Sequence, residues 1–395
     1  MKITDIRVRG GRLSSLTFVE VDTDEGLTGI GVTGSPSCII EPIILDRQGG
    51  LIRFLAGRDP LEPGRLWVRM FRDWQALRGR GGEGGMAVNA MGAVDMALWD
   101  LAGKALNRPL CKLLGGAVRN RVMAYASGTA FDPDSLAGRV PPRLKSPEQL
   151  AAESRALVRQ GFRAVKFGWG NHFRTEDEER LAAIRQAIGP ETRLMLDFGC
   201  PAYWTPDWNL KEAIRATRFL EAFDLYFLEE PMPPFDVDGY AALTQAVEVK
   251  IASGESLSTT HEFQPFIDRR ALDIIQPDAA QMGVTQFHYV ARRAEEAGLL
   301  CIPHSPWSAT VVAAHLHLLS TVSNGAMVEY PGWEALREGP TSAYRITRMA
   351  HEEVIQHPLT LSDGYLQLPE SPGLGLGNYV PEAFSRMEQL AAQGD

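Results

Sequence analysis

Cysteine is scarce and scattered. Cys38, Cys111, Cys200 and Cys301 are the four cysteines in 395 residues, and none forms a CxxC pair or a Cys/His zinc spacing. That excludes a dense disulfide framework and a cysteine-built zinc site, and it leads us to expect a reduced, cytoplasmic protein. Positive charge is in deficit: 40 Lys and Arg stand against 49 Asp and Glu, a formal net charge of −9. A nucleic-acid surface is therefore not expected as the main business of the chain. Apolar runs long enough to span a membrane are missing, so no membrane partner is expected. The opening MKITDIRVRG alternates like a strand and has no apolar signal core. No GxGxxG follows the first strand and no Walker motif occurs anywhere, which removes the usual nucleotide-binding signatures.

What is present is a regular succession of elements. Ile3–Val8 and Leu16–Val21 alternate with period two, and Asp24-Glu25-Gly26 supplies turn chemistry for a hairpin between Leu16–Val21 and Leu27–Val32. Helical spacing follows around Ile39–Leu55 and Leu66–Trp74, then the glycine-rich loop Gly79–Gly85, then a long helix from Ala87 to about Ala105 that ends at Asn107-Arg108-Pro109. From about Val122 short apolar runs alternate with helical patterns at spacings of about 23 to 42 residues, the signature of a parallel sheet. The predicted strands are Val122–Ala126, Ala164–Phe167, Leu194–Phe198, Leu225–Glu229, Lys250–Ala252, Ile274–Gln276, Leu300–Pro303 and Ala326–Glu329. Seven to eight units fit a closed (β/α)8 barrel, with a doubly wound open sheet as the alternative. The expected division is an α+β capping domain over 1–120, the barrel over 121–345, and a segment 346–395 that returns to the cap.

The strand ends carry the chemistry. Leu225–Glu230 closes an apolar run on two adjacent glutamates, of which period-two alternation lets only one point inward. Leu194–Asp197 and Ile251–Glu255 likewise end on acids. One acid after a strand is ordinarily a helix cap or a solvated loop charge; three in register point to a site for a hard divalent cation such as Mg²⁺. Reading off the last residues of every strand gives Lys166, Asp197, Glu229, Glu255, Asp278, His304 and Glu329, which a barrel gathers at one mouth. Lys166 beside a metal could neutralise a substrate carboxylate. Asp278 precedes His304 by one unit, and an aspartate bonded to one imidazole nitrogen raises the basicity of the other. A metal that stabilises an enediolate together with one positioned base is what removal of a proton next to a carboxylate requires.

These residues resemble the mandelate racemase branch of the enolase superfamily. The resemblance runs from Thr23–Gly29 through Ala97–Lys104, Gly161–Lys166, Leu228–Pro231, Ser253–Glu255 and Gln276–Asp278 to Pro303–Ser305. It implies a modified (β/α)8 TIM-like barrel, a cap built from both termini and one essential Mg²⁺. By motif, Asp197, Glu229 and Glu255 would be the metal ligands and Glu230 a neighbour. Asp278 and His304 would be the dyad, Lys166 the carboxylate-binding lysine, and Glu329 a glutamate bonded to the substrate carboxylate. A homo-oligomer, dimer to octamer, is expected as well.

Two departures narrow the activity. Gly168 stands where the racemases carry a second, base-forming lysine, and Gly199 stands where an asparagine follows the aspartate of the third strand. With one base, the expectation is dehydration of a small-molecule sugar acid to a 2-keto-3-deoxy acid. The alternatives are a racemase, epimerase or cycloisomerase acting through the same enediolate, or a non-catalytic sugar-acid-binding protein. His172 and Tyr203 are candidates for a second acid, and specificity is expected from the cap loops Val32–Cys38 and Arg78–Gly85.

Overall fold

The structure is a computed structural model. It describes the chain except residues 11–15, 75–83, 132–142, 170–174, 204, 206, 305, 333–341 and 393–395. The first three strands, β1 (Ile3–Arg9), β2 (Thr17–Thr23) and β3 (Thr28–Thr33), form an antiparallel sheet in the order β1-β2-β3. The β2–β3 hairpin turns at Gly26, whose φ of +77° is a conformation that glycine adopts without steric cost. Val19 and Val21 face one way with Ile3 and Ile6, and pack on the long helix α1 (Met86–Ala105) through Met91, Val94 and Leu98.

Eight parallel strands follow: β4 (Arg121–Thr129), β5 (Ala164–Gly168), β6 (Arg193–Asp197), β7 (Leu225–Glu229), β8 (Lys250–Ser253), β9 (Ile274–Ile275), β10 (Leu300–Cys301) and β11 (Met327–Pro331). Consecutive strands pair in order from β4 to β10, β11 pairs with β4, and a parallel bridge between Cys301 and Gly325 joins the β10 and β11 segments. The ring is thereby closed, and the open-sheet alternative is set aside. Each predicted strand overlaps an observed one, because a strand covered on the outside by helices and on the inside by its opposite numbers must be apolar on both faces. Tyr125, Ala164, Met195, Phe227, Ala252, Ile274, Ile302 and Met327 plug the interior. Outward-facing residues such as Val165, Leu196, Leu228 and Ile275 pack under the helices.

The cap is fastened to the barrel by α1 lying on helix α2 (Ala279–Ala297). Gly92 permits the approach, since a Cβ there would stand 2.7 Å from the Gly283 nitrogen. Close by, Asp95 accepts hydrogen bonds from the Thr285 backbone N–H (2.8 Å) and hydroxyl (2.6 Å), and Trp99 Nε1 donates to the same hydroxyl (2.8 Å). The tail divides its contacts. The hairpin of β12 (Leu361–Ser362) and β13 (Tyr365–Gln367) adds antiparallel to the first half of β4; Tyr365–Leu368 reads as strand-like in the sequence, but its pairing with β4 is not expected from the pattern. Beyond it, Tyr379 donates to the Gly31 carbonyl (2.8 Å), and Tyr379 and Phe384 set their rings edge-on to Phe18 of the cap sheet. Among the described residues no helix is long and apolar enough to cross a membrane.

Candidate active site

The mouth of the barrel follows from the interior plug by counting two. Side chains alternate along a strand, so the residue two beyond each plug residue faces inward again, one step nearer the carboxyl end. Two beyond Ala164 stands Lys166, beyond Met195 Asp197, and beyond Phe227 Glu229. Beyond Ile274 comes Gln276, beyond Ile302 His304 and beyond Met327 Glu329. An apolar floor thus changes within one residue pair into a ring of charge.

Lys166 is the hub of one half. Its Nζ lies 2.6 Å from Glu229 Oε2, 3.0 Å from Glu329 Oε1 and 3.9 Å from Asp197 Oδ2. Burial alone would strip the lysine of its proton, but Glu229 and Glu329 outweigh it and hold the ammonium well above its ordinary pKa. Burial also pushes Glu329 up, yet Lys166, His304 and the Ser127 hydroxyl reverse this and bring it down to about 2. The other half is centred on His304. Extending the Cys301–Ile275 register brings His304 level with Asp278, and the imidazole Nδ1 lies 3.1 Å from Asp278 Oδ2. Its Nε2 is turned to Glu255 Oε2, 3.2 Å away. Asp278 is itself anchored: it caps α2, its Oδ1 accepting the Ala280 N–H at 2.7 Å. Burial works against a charged His304, but Glu255, Asp278 and Glu329 prevail and raise its pKa well above the usual value.

Glu255 breaks the alternation and reaches the mouth through Gly254. That residue has φ +125°, and a Cβ on it would meet Phe263 Cε1 at 2.6 Å, so only glycine makes the turn. Glu230 is redirected in a similar way. Its φ of +44° is left-handed, its side chain is buried, and its carboxyl is raised far above the usual range by burial and by Glu255, Asp197 and Glu229. The motif reading set Glu230 aside as a neighbour; the chain turns it into the acid cluster. Pro231 ends the strand, so the period-two rule does not extend to Glu230. Gly199, in place of an asparagine, donates its N–H to Asp197 Oδ1 (2.8 Å). Tyr203 is 63% exposed. His172, Ser305 and all of Arg78–Gly85 but its last two residues lie outside the described residues. The other loop, Val32–Cys38, packs on α1, where Ser35 Oγ is 2.9 Å from the Asn89 amide.

The donor set suits a hard divalent cation. Among the described residues no three His, Cys, Asp or Glu side chains are gathered closely enough to hold a metal ion. What asks for a cation is unbalanced charge. Asp197, Glu229, Glu230, Glu255, Glu329 and Asp278 share the mouth with one lysine, and Glu229 Oε1 and Glu230 Oε1 are buried without a hydrogen-bond partner. Burial and mutual repulsion push Asp197 up to about 6 and Glu229 to about 8, although Lys166 pulls both down. Carboxylate oxygens are the preferred ligands of Mg²⁺-like ions, and Asp197 and Glu255 remain reachable, with 24% and 28% of their side chains exposed.

Comparison with known proteins agrees with this architecture. Residues 149–378 match the family described as "Enolase C-terminal domain-like", and residues 6–115 match "Mandelate racemase / muconate lactonizing enzyme, N-terminal domain". The chain is 29% identical to D-galactarolactone cycloisomerase of Agrobacterium fabrum, over 91% of this chain and 88% of that one. It is 28% identical to L-talarate/galactarate dehydratase of Salmonella typhimurium, over 99% and 88%. The crystal structure of a mandelate racemase/muconate lactonizing enzyme-like protein from Rubrobacter xylanophilus superposes with a TM-score of 0.82 at 28% identity, covering 98% of this chain and 97% of that one.

Proposed function

Because this chain belongs to the mandelate racemase / muconate lactonizing enzyme family of the enolase superfamily, we propose that it dehydrates a sugar acid to a 2-keto-3-deoxy acid. In this reading His304 Nε2 takes the proton from the carbon next to the carboxylate, and the electron pair of the broken C–H bond moves into the carboxyl group. The pair then returns to form a double bond between the α- and β-carbons as the β-hydroxyl leaves with a proton and becomes water. The resulting enol rearranges to the 2-keto acid. His304 can supply that departing proton itself when proton and hydroxyl leave from the same face. Asp278 Oδ2 holds Nδ1 and orients the ring, and Nε2, which faces Glu255 Oε2 at 3.2 Å, would be the proton acceptor once the Glu255 charge that keeps the imidazole protonated is taken up elsewhere. Lys166 receives the substrate carboxylate as a fixed cation.

Asp197, Glu229 and Glu255 would hold a Mg²⁺ ion, with Glu230 as an additional acid in reach. Such an ion supplies stabilisation of the negative charge that gathers on the carboxyl oxygens. The observation that carries the reading is geometric: Lys166 Nζ is pinned between Glu229 and Glu329 at 2.6 and 3.0 Å, whereas His304 is held by Asp278 through Nδ1 and keeps Nε2 turned toward Glu255 at the mouth. Among the described residues His304 is then the single base, and Gly168 leaves the opposite face without a side chain. A single base suits elimination better than racemisation. Cycloisomerisation begins with the same proton transfer and expels a ring oxygen, and the relative named as a D-galactarolactone cycloisomerase supports it as the second reading.

The test is a screen of mono- and diacid sugars with Mg²⁺, followed by 2-keto acid formation. A 2-keto-3-deoxy product from at least one acid is expected. Proton exchange with no keto acid would favour an isomerase, and neither exchange nor product would leave a binding protein.

A further inference from the structure

Gln276 has no task in the chemistry above. It stands two residues before Asp278 on the inward side of β9, as its strand partner Ile274 shows by filling the barrel interior. The strand on one side runs out into Gly254-Glu255 and the strand on the other into Pro303-His304. Extending both registers sets Gly254 and Ile302 beside it, and Gly254 offers no side chain to bond. Its backbone N–H is spent on the Ser253 carbonyl (3.0 Å). The side chain is 0% exposed, and neither Nε2 nor Oε1 has a hydrogen-bond partner. A buried primary amide with both ends unpaired is costly, and a methionine or leucine would fill the same space without that cost. A fully buried amide level with the ring of charged strand-end side chains, with neither end bonded within the fold, is a group kept for a ligand.

Its chemistry narrows the ligand. The mouth already carries six carboxylates, and an uncharged amide adds none. An amide offers one kind of donor and one acceptor, the complement of an alcohol, which also donates and accepts. Lying between Glu255 and His304, Gln276 is placed for substituents of the carbons held between cation and base. We infer that Gln276 reads a hydroxyl on the carbon that loses its proton or on the adjacent one, and so selects hydroxylated acids over their deoxy analogues. This rests on the sugar-acid reading of the site. A pocket built to bond a hydroxyl rejects the analogue lacking it far more strongly than an apolar pocket separates two similar molecules.

Gln276→Met keeps the length of the side chain and removes both bonding groups. The first measurement is thermal unfolding of the ligand-free protein. An amide unpaired in the fold predicts a Tm for Q276M equal to or above that of the parent. A fall of several degrees would show that the amide is satisfied internally and would overturn the inference. The second measurement is calorimetric binding of D-galactonate and its 2-deoxy and 3-deoxy counterparts with Mg²⁺, in a His304→Asn background that prevents turnover. H304N should prefer D-galactonate over one deoxy acid by at least about 100-fold, and Q276M should reduce that preference to within about threefold. The same preference in both proteins overturns the inference. If H304N binds none of the three acids, the sugar-acid reading is what has failed for this probe, and the unfolding measurement decides the role of Gln276 alone.

Discussion

At the scale of single residues, groups that would hold charge are distinct from the group that would move a proton. Asp197→Asn and Glu255→Gln exchange an anionic oxygen for a neutral amide, a poorer ligand for a hard cation. Each should lower turnover at least about 100-fold, since changes one shell further out already cost 10–100-fold. Calorimetric titration should show Mg²⁺ affinity falling in parallel. Full activity in either variant, or after exhaustive chelation, would remove the cation from the mechanism. The dyad predicts a graded pair. His304→Asn deletes the base and should lose on the order of 10⁴-fold in kcat. Asp278→Asn leaves the imidazole in place but misoriented, and should lose roughly 10–100-fold. A fully active Asp278 variant would mean that the 3.1 Å contact between them has no part in the reaction. Much of this residue set was legible beforehand, because a parallel barrel delivers its functional side chains at strand ends and period two says which of them face inward. Where the backbone leaves the strand conformation, as at Glu230, that arithmetic stops. Gln276 was visible within its Gln-Pro-Asp run, but only burial without a partner gives its amide a role.

At the scale of elements, two joints carry predictions. The β8 end turns through Gly254 to aim Glu255, and Gly254→Ala would place a methyl group against Phe263 in a left-handed backbone. A loss of roughly 1–3 kcal/mol in denaturant unfolding is expected, with a larger proportional loss of activity because Glu255 moves. A variant of unchanged stability and rate would show that the turn is not needed to aim the acid. The second joint is the seam between α1 and α2. Burial pushes the Asp95 carboxyl up to about 7, and the bonds from Thr285 only partly offset this. Since the folded value lies above the unfolded one, the folded state binds the extra proton between about pH 4 and 7. Stability from this group is therefore complete below about pH 4 and is lost as pH rises through 7, by a few kcal/mol in all. Asp95→Asn, which cannot ionise, should remove that contribution to the slope when ΔG of unfolding is measured from pH 4 to 8. An unaltered slope would place the titration elsewhere. Sequence alone disclosed the helix bearing Asp95 through its apolar spacing and reads Tyr365–Leu368 as strand-like, but the two residues of β12 are too short to show any period and the pairing of β13 with β4 is not legible.

At the scale of the whole molecule, one chain folds a closed ring of eight strands and covers it with a sheet held from both ends of the sequence. The ring was readable because its strands are separated by helices at regular spacing. The way the tail shares itself between β4 and Phe18 depends on contacts between residues hundreds of positions apart, as for Gly31 and Tyr379. The fold converges side chains from β5 to β11 on one small volume, in which the proposed reading has Lys166 locked as a cation and His304 left to act. The proposed mechanism turns on His304 being the one base among the described residues of this mouth. An accepted sugar acid, incubated in D₂O with the protein and Mg²⁺ and recovered before the reaction is complete, tests it most directly. The account predicts recovered acid of unchanged configuration, with any α-deuterium confined to that one epimer, alongside the 2-keto-3-deoxy product. Recovery of both epimers carrying deuterium at the α-carbon would contradict it, because a second base would then have to serve the face that Gly168 leaves bare.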